Sequence, residues 1–210
     1  MLILPDTPDA WEQARAALQR GGLVVVPTDT VYGVACDPYN PEAIRSIYAA
    51  KSRDSLKALP LLLAGVESVS AVAGPLPDAA VQLGSAFWPG ALTLVVPRSP
   101  GLPVELGGGE TIAVRVPNQP HLQAFIASCG GAIAATSANL SGQPDALTAQ
   151  QGADYLGAFV EIVIDGGPAP GGVPSTVVNC LTDPPAVLRA GAITEQQIRI
   201  ALEQGNPRSA

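Results

Sequence analysis

An α/β fold, or a closely mixed α+β one, built around a largely buried sheet is predicted by three observations in the 210 residues. Helix-like and strand-like patterns are interspersed from one end of the chain to the other. The strand-like runs are short and almost continuously apolar, as in Val24-Val25-Val26 and Ala132 to Ala135, which is the pattern of strands covered on both faces. Two of these runs end in clusters of small polar residues, Thr28-Asp29-Thr30 and Thr136-Ser137-Ala138-Asn139. Open α/β sheets place their ligands at the carboxyl ends of strands. Taken singly, each cluster is explained equally well as a strand leading into a polar turn.

In chain order, Asp9 to Arg20 reads as a helix with Trp11, Ala14, Ala17 and Leu18 on one face, Asp9 and Glu12 spaced as a capping box, and Gly21-Gly22 as its stop. The strand from Val24 is halted by Pro27 and followed by Tyr32 and a permissive Gly33. Asn40 can cap and Pro41 open a helix with Ile44, Ile47 and Tyr48 inward, ending near Ala50 and delivering Lys51-Ser52-Arg53. Leu59 to Ala64 is a strand, Pro77 to Phe87 a helix closed by Trp88-Pro89-Gly90, and Ala91 to Val96 and Thr111 to Val116 are strands around a Gly- and Pro-rich loop. In the second, Ile112, Val114 and Val116 alternate with Ala113 and Arg115. A helix over His121 to Ser128 precedes the strand Ala132 to Ala135, and Thr148 with Gln151 form a capping box for a helix to Tyr155. Strands at Val160 to Ile164, Ser175 to Cys180 and Ala186 to Arg189 and a helix from Thr194 to Glu203 complete one domain, residues 1 to 204, with a polar tail from Gly205 to Ala210.

Composition excludes several classes. Charged residues make up only 14%, against roughly 25% in ordinary soluble proteins. No apolar run approaches the ~18 residues of a spanning helix, and Asp6, Asp9 and Glu12 are unlike a basic signal-peptide start, so a soluble, cytoplasmic protein is expected. Cys36, Cys129 and Cys180 are far apart with only His121 as an imidazole, which supports neither a zinc site nor a disulfide framework. The net charge of −7 argues against broad capture of nucleic acid. Yet three of the 11 basic residues fall within Lys51 to Lys57, a local gathering suited to a small anion.

The candidate chemistry lies in a few side chains. Lys51 and Arg53, two apart, leave an extended segment on the same side and would suit a phosphate or carboxylate; equally, they could complement the dipole of the preceding helix. Ser137 and Asn139 share that spacing, with a Ser- or Asx-type turn as the alternative. Arg115 sits within an otherwise apolar strand and demands an anionic partner, structural or ligand, because a buried unpaired guanidinium is very costly. Arg189 raises the same question.

Seven ordered blocks resemble a known family. They are Pro27-Thr28-Asp29-Thr30-Val31-Tyr32-Gly33, Lys51-x-Arg53, Trp88-Pro89-Gly90 with Leu92-Thr93, Ala113 to Pro117, Ser137-Ala138-Asn139 with Ser141-Gly142, Ser175 to Val178 and Leu188-Arg189-x-Gly191. In this order, over roughly residues 7 to 200, they resemble the YrdC-like threonylcarbamoyl-AMP synthases, in the short single-domain form. The resemblance implies a strongly twisted, mostly buried mixed β-sheet flanked by helices, with a concave ligand cavity. It also implies synthesis of threonylcarbamoyl-AMP and pyrophosphate from L-threonine, bicarbonate and ATP, after which a partner transferase passes the threonylcarbamoyl group to tRNA. The Lys, Arg, Ser, Asn set of active synthases is matched by Lys51, Arg53, Ser137 and Asn139, with Thr111 and Arg189 as further ATP contacts and Thr28, Arg115 and Ser175 around L-threonine. Val34, Asp54, Ala91 and Asn179 depart from the usual Leu, Pro, Pro and Asp; Asp54 adds a carboxylate beside the phosphate cations.

No step of that reaction needs a protein nucleophile. Orientation and neutralisation of phosphate charge suffice, so a site rich in cations and donors but poor in His and Cys is expected. Mg²⁺ would ride on the triphosphate, held mostly by phosphate oxygens and water rather than by protein ligands. Two other functions remain open: a non-catalytic module binding double-stranded RNA, which the acidic balance disfavours, and a carbamoyl-transfer relative, whose companion domains are missing.

Overall fold

The computed structural model of the protein describes residues 1–52, 54 and 57–204; Arg53 and the tail from Gly205 lie outside the described residues. Its elements run β1 (Leu2–Pro5), α1 (Pro8–Gln19), β2 (Val24–Val26), β3 (Gly33–Cys36), α2 (Pro41–Lys51), β4 (Leu61–Leu63), α3 (Val69–Val72) and α4 (Asp78–Phe87). There follow β5 (Leu92–Pro97), β6 (Thr111–Arg115), α5 (Pro120–Ser128), β7 (Ala132–Ser137), α6 (Ala149–Leu156), β8 (Ile162–Asp165), β9 (Thr176–Asn179), β10 (Ala186–Arg189) and α7 (Glu195–Gln204). The strands form one mixed sheet in the order β1-β8-β2-β3-β7-β4-β6-β5-β9-β10. Among the described residues no helix is long and apolar enough to cross a membrane.

Alternation along each strand divides the core in two. Val24 and Val26 pack with Ala35, Leu62, Ile133 and Ile162 beneath α1 and α5. Val25, Val34, Leu61, Leu63 and Val114 face the other way, against Ile44 and Ile47 of α2 and Leu156 of α6. Where both faces are covered, as for β2 and β3, the strands have no polar side to show, which is why they read as continuous apolar runs.

Two expected details are corrected. The cap of α1 is Thr7, which accepts from Ala10 N at 3.4 Å with Pro8 opening the helix. Glu12 instead pairs with Arg15 on the surface, so the Asp9/Glu12 spacing is no capping box. Strands β1 and β3 are additions: Gly33, expected in a turn, starts β3, which pairs antiparallel with β2 on one side and β7 on the other. The capping box of Thr148 and Gln151 on α6 and the cap of α2 by Asn40 are as expected.

Helices α1 and α5 cover only one half of their sheet face. Beyond β4, the residues pointing to that side are Ala113 and Arg115 of β6, Thr93 of β5, Ser175 just before β9 and Val177 within it, and they line a cavity of 460 Å³. Small side chains at Ala113 and Ala135 keep its floor low. The sheet is mixed, so the cavity meets the carboxyl ends of β2, β6 and β7 and the amino ends of β5 and β9.

Candidate active site

The turn from β2 to β3 forms one wall. Thr28 is buried and braces the turn: its hydroxyl contacts Thr30 Oγ1 at 2.9 Å, donates to the Val31 carbonyl at 2.7 Å, and accepts from the Thr30 and Val31 amides at 3.0 and 3.3 Å. This is the geometry by which a Thr hydroxyl substitutes for a backbone turn bond. Tyr32, fully buried, accepts from the Gly166 amide at 3.2 Å and donates to the Gly167 carbonyl at 2.5 Å, tying the segment before Ser175 to the same wall. Burial pushes its phenol above the ordinary tyrosine value.

Arg115 faces this turn from the end of β6, 5% exposed. It donates to Asp29 Oδ1 at 2.5 Å, Thr30 Oγ1 at 2.9 Å and the Gly90 carbonyl at 2.9 Å. The anion demanded by this cation is therefore in the first place structural. Three of the five guanidinium N–H groups are engaged among the described residues, leaving two for a ligand. Burial holds this guanidinium below the usual arginine value, Asp29 pulls it back up, and the positive charge of Arg189 pushes it down again.

Arg189, at the end of β10, is exposed at the cavity edge. It donates to the Ser175 carbonyl from Nε and Nη2 at 3.1 and 2.8 Å, and to Ser175 Oγ at 3.0 Å. Ser175 Oγ also meets Thr93 Oγ1 at 2.8 Å, and both residues are buried. Burial lowers the Arg189 pKa, and Asp145 across the cavity raises it. Two mutually repelling arginines on one cavity make a field that favours an anion between them.

At the third wall β7 ends in Ser137, whose hydroxyl donates to Asn139 Oδ1 at 2.6 Å; Asn139 in turn donates to the Gln143 carbonyl at 2.5 Å. Ser137 lines the cavity, whereas Asn139 sits behind it. Lys51 does not leave an extended segment: it is the last residue of α2, and Ser52 turns into the left-handed region at φ 48°. Its ammonium, on a residue 1% exposed, donates to the Ser137 carbonyl and to the carbonyl and Oδ1 of Asn139 at 2.5 and 3.0 Å. The expectation of Lys51 and Arg53 side by side is thus corrected at Lys51, and Arg53 lies outside the described residues.

Of the remaining expectations, Thr28, Arg115, Ser137, Ser175 and Arg189 meet in one cavity. Thr111 does not line it: at the opposite end of β6 from Arg115, it donates to the Gly108 carbonyl at 2.8 Å. Thr30, part of the polar cluster expected at the end of β2, is also on the cavity wall, whereas sequence reasoning gave no site role to Thr93 or Asp145, both of which line it. Thr93 could have been found from its place in the Leu92-Thr93 block, as a hydroxyl in an apolar strand; nothing local marks Asp145. Among the described residues no group of three or more His, Cys, Asp or Glu side chains comes together. Among the described residues the lining carboxylate is Asp145, and no His or Cys lines the cavity.

A family model for Sua5/YciO/YrdC proteins, described as telomere recombination, matches residues 16–191. Over 192 residues the chain is 41% identical to a threonylcarbamoyl-AMP synthase of Bacillus subtilis, covering 90% of this chain and 56% of that protein. It therefore spans about half the length of that relative, but 85% of a putative threonylcarbamoyl-AMP synthase of Mycobacterium tuberculosis H37Rv, 36% identical over 88% of this chain. Among solved structures, Pyrococcus abyssi Sua5 complexed with L-threonine superposes with a TM-score of 0.90 at 34% identity, covering 96% of this chain and 61% of that one. The matched model, these relatives and the structural superposition establish that the chain belongs to the Sua5/YciO/YrdC family.

Proposed function

We propose that the chain is an L-threonylcarbamoyladenylate synthase, converting L-threonine, bicarbonate and ATP to threonylcarbamoyl-AMP and pyrophosphate. The observation that carries this reading is the cavity itself: Arg115 and Arg189 line it together with the hydroxyls of Thr28, Thr30, Thr93, Ser137 and Ser175, and among the described residues no His or Cys does. Such a lining suits a reaction whose nucleophiles belong to the substrates. Transfer to phosphorus requires in-line placement and charge neutralisation, which fixed guanidinium groups and oriented hydroxyls supply.

In this reading Arg115 and the hydroxyls of Thr28 and Ser175 hold L-threonine. Ser137, Asn139 and Arg189 hold the nucleotide, with Lys51 serving that end from behind Ser137 and Asn139, and Arg53 and, more remotely, Thr111 serving it as well. The carboxylate of threonine takes the two remaining N–H groups of Arg115. Its amine, as the carbamate formed with bicarbonate, is aimed at the α-phosphorus while pyrophosphate leaves towards the cationic edge. Mg²⁺ fits this donor set as a passenger on the triphosphate, held by phosphate oxygens, water and at most the Asp145 carboxylate, where it would neutralise phosphate charge. Residues 1 to 204 act as one domain in a cytoplasmic setting. The product passes to a tRNA-modifying transferase, and with a charge of −7 the chain's own affinity for RNA is weak and salt-sensitive.

The test is incubation with ATP, Mg²⁺, bicarbonate and each amino acid in turn, following pyrophosphate. Release with threonine that depends on bicarbonate supports the reading; none with any amino acid removes it.

A further inference from the structure

We infer that Lys51 is a positioning residue: its ammonium sets the turn carrying Ser137 and Asn139 and thereby the nucleotide wall of the cavity, without itself touching the substrate. The inference rests on the synthase reading for its consequence in catalysis, but its structural part is independent of that reading.

The β3–β7 ladder ends at the pair Gly33 and Ser137. Beyond it the chain turns sharply, and carbonyls at such a turn need donors from elsewhere. Lys51 supplies them. An ammonium has three N–H donors, and the described acceptors are the Ser137 carbonyl, the Asn139 carbonyl and Asn139 Oδ1. The bond returns in the other direction, since the Ser141 amide donates to the Lys51 carbonyl at 3.1 Å and so satisfies one of the open carbonyls at the end of α2. Main chain and side chain of one residue thus clasp the turn from both ends.

The clasp also orients the side chains of Asn139 and Ser137. With Lys51 on Oδ1 at 3.0 Å and the Ser137 hydroxyl on the same atom at 2.6 Å, the Asn139 amide is held in one orientation, its nitrogen donating to Gln143. The Ser137 hydroxyl is fixed in turn, with its proton directed to Asn139 and its oxygen left to accept. A ligand group meeting Ser137 from the cavity therefore meets an acceptor. Lys51, 1% exposed and absent from the cavity lining, reaches substrate through this relay. Ser52, at φ 48°, ends α2 directly after it, and Ala58 and Pro60 line the cavity.

The experiment is a double-mutant cycle with Lys51→Met and Asn139→Ala in the full chain. It is read by ATP KM and kcat, by threonine affinity, and by amide hydrogen exchange of residues 137 to 143. If Lys51 acts through the turn, Lys51→Met speeds exchange there by about 10-fold or more while threonine affinity stays within about 2-fold, and the double variant is no worse than the worse single. Losses that multiply in the double variant, with exchange of the turn unchanged, overturn the inference. A second measurement needs no variant: the Lys51 ammonium signal of the ¹⁵N-labelled wild type is followed while adenosine 5′-(α,β-methylene)triphosphate is added. A slowly exchanging signal that keeps its position is expected, and a ³¹P coupling or a large shift overturns the inference. Absence of pyrophosphate release by the wild type would count against the synthase reading alone, because the exchange and ammonium measurements do not depend on turnover.

Discussion

Arg115 donates to Asp29 Oδ1 at 2.5 Å and to Thr30 Oγ1 at 2.9 Å, so the end of β6 and the β2–β3 turn meet at one buried cation. Both side chains of the ion pair are largely out of water, at 7% and 13% exposure. Removing one partner of such a pair leaves the other charge uncompensated, which costs about 3 to 5 kcal/mol. Asp29→Ala is therefore expected to destabilise the fold by about that much, and Asp29→Asn by less, since an amide oxygen still accepts from the guanidinium. Arg115→Lys should cost threonine binding nearly as much as Arg115→Ala, because a point charge cannot reach Asp29, Thr30 and Gly90 at once. Denaturant titrations paired with threonine calorimetry check this; full stability of Asp29→Ala would mean that the pair holds nothing together.

A second expectation concerns substrate choice. The hydroxyls of Thr28, Thr30, Thr93 and Ser175 line the cavity, linked by contacts of 2.9 Å and 2.8 Å within each pair. A site built to bond a hydroxyl rejects the analogue lacking it more strongly than an apolar pocket rejects a missing methylene. Pyrophosphate release should therefore rank threonine above serine, and both above valine and 2-aminobutyrate. Equal rates for the four amino acids would mean that no hydroxyl is read.

Much of this was legible in the sequence because it is local. The polar clusters after β2 and β7, the alternation that puts Arg115 on the face opposite Val114, and its need for an anion are properties of short segments. Strand order is not local. Strand β3 escaped notice because Gly33-Val34-Ala35-Cys36 is short and begins with a residue typical of turns; it is a strand only because β2 and β7 flank it. For the same reason, Asp29 could not be matched to Arg115, 86 positions away, nor Lys51 to Asn139, 88 positions away. Nor does the sequence show that Lys51 is the last residue of α2, with its ammonium turned inwards onto the turn after β7. Asp145 is visible only once the loop after β7 closes on Arg189.

The thiols offer a prediction about pH. Burial raises the pKa of Cys180 from 9.0 to about 11, and burial followed by the neighbouring Asp37 raises that of Cys36 further. Each folded-state value lies above the unfolded one, so the folded protein binds more protons in the interval between them. The contribution to stability is then fully present below pH 9.0 and is lost as pH rises through about 11 for Cys180. Unfolding free energy should fall over that window, and Cys180→Ala should flatten the slope there. Neither buried thiol should react quickly with alkylating reagents at neutral pH; rapid labelling of native Cys36 would contradict its placement in the core.

The last prediction separates the two ends of the substrate. Arg189 and Ser175 are joined by three hydrogen bonds of 2.8 to 3.1 Å, two to the Ser175 carbonyl and one to its hydroxyl. Ser175→Ala removes only the hydroxyl, so Arg189 keeps both carbonyl bonds and its place at the cavity edge. Threonine affinity should fall while ATP affinity holds. On the proposed assignment Arg189→Ala removes the charge meant for phosphate oxygens, an expected loss of roughly 1.5 to 3 kcal/mol or about 10- to 150-fold in ATP affinity. It also frees the Ser175 hydroxyl to rotate about its remaining contact with Thr93, so threonine affinity should fall by a smaller factor. The ATP effect should shrink as salt is added, because Arg189 stands at the open edge, whereas the Ser175→Ala effect on threonine should be indifferent to salt. Calorimetric titration of each ligand into both variants at low and high salt tests this directly. A salt-dependent loss of threonine binding in Ser175→Ala, or ATP affinity unchanged in Arg189→Ala, would reverse the assignment of the two ends.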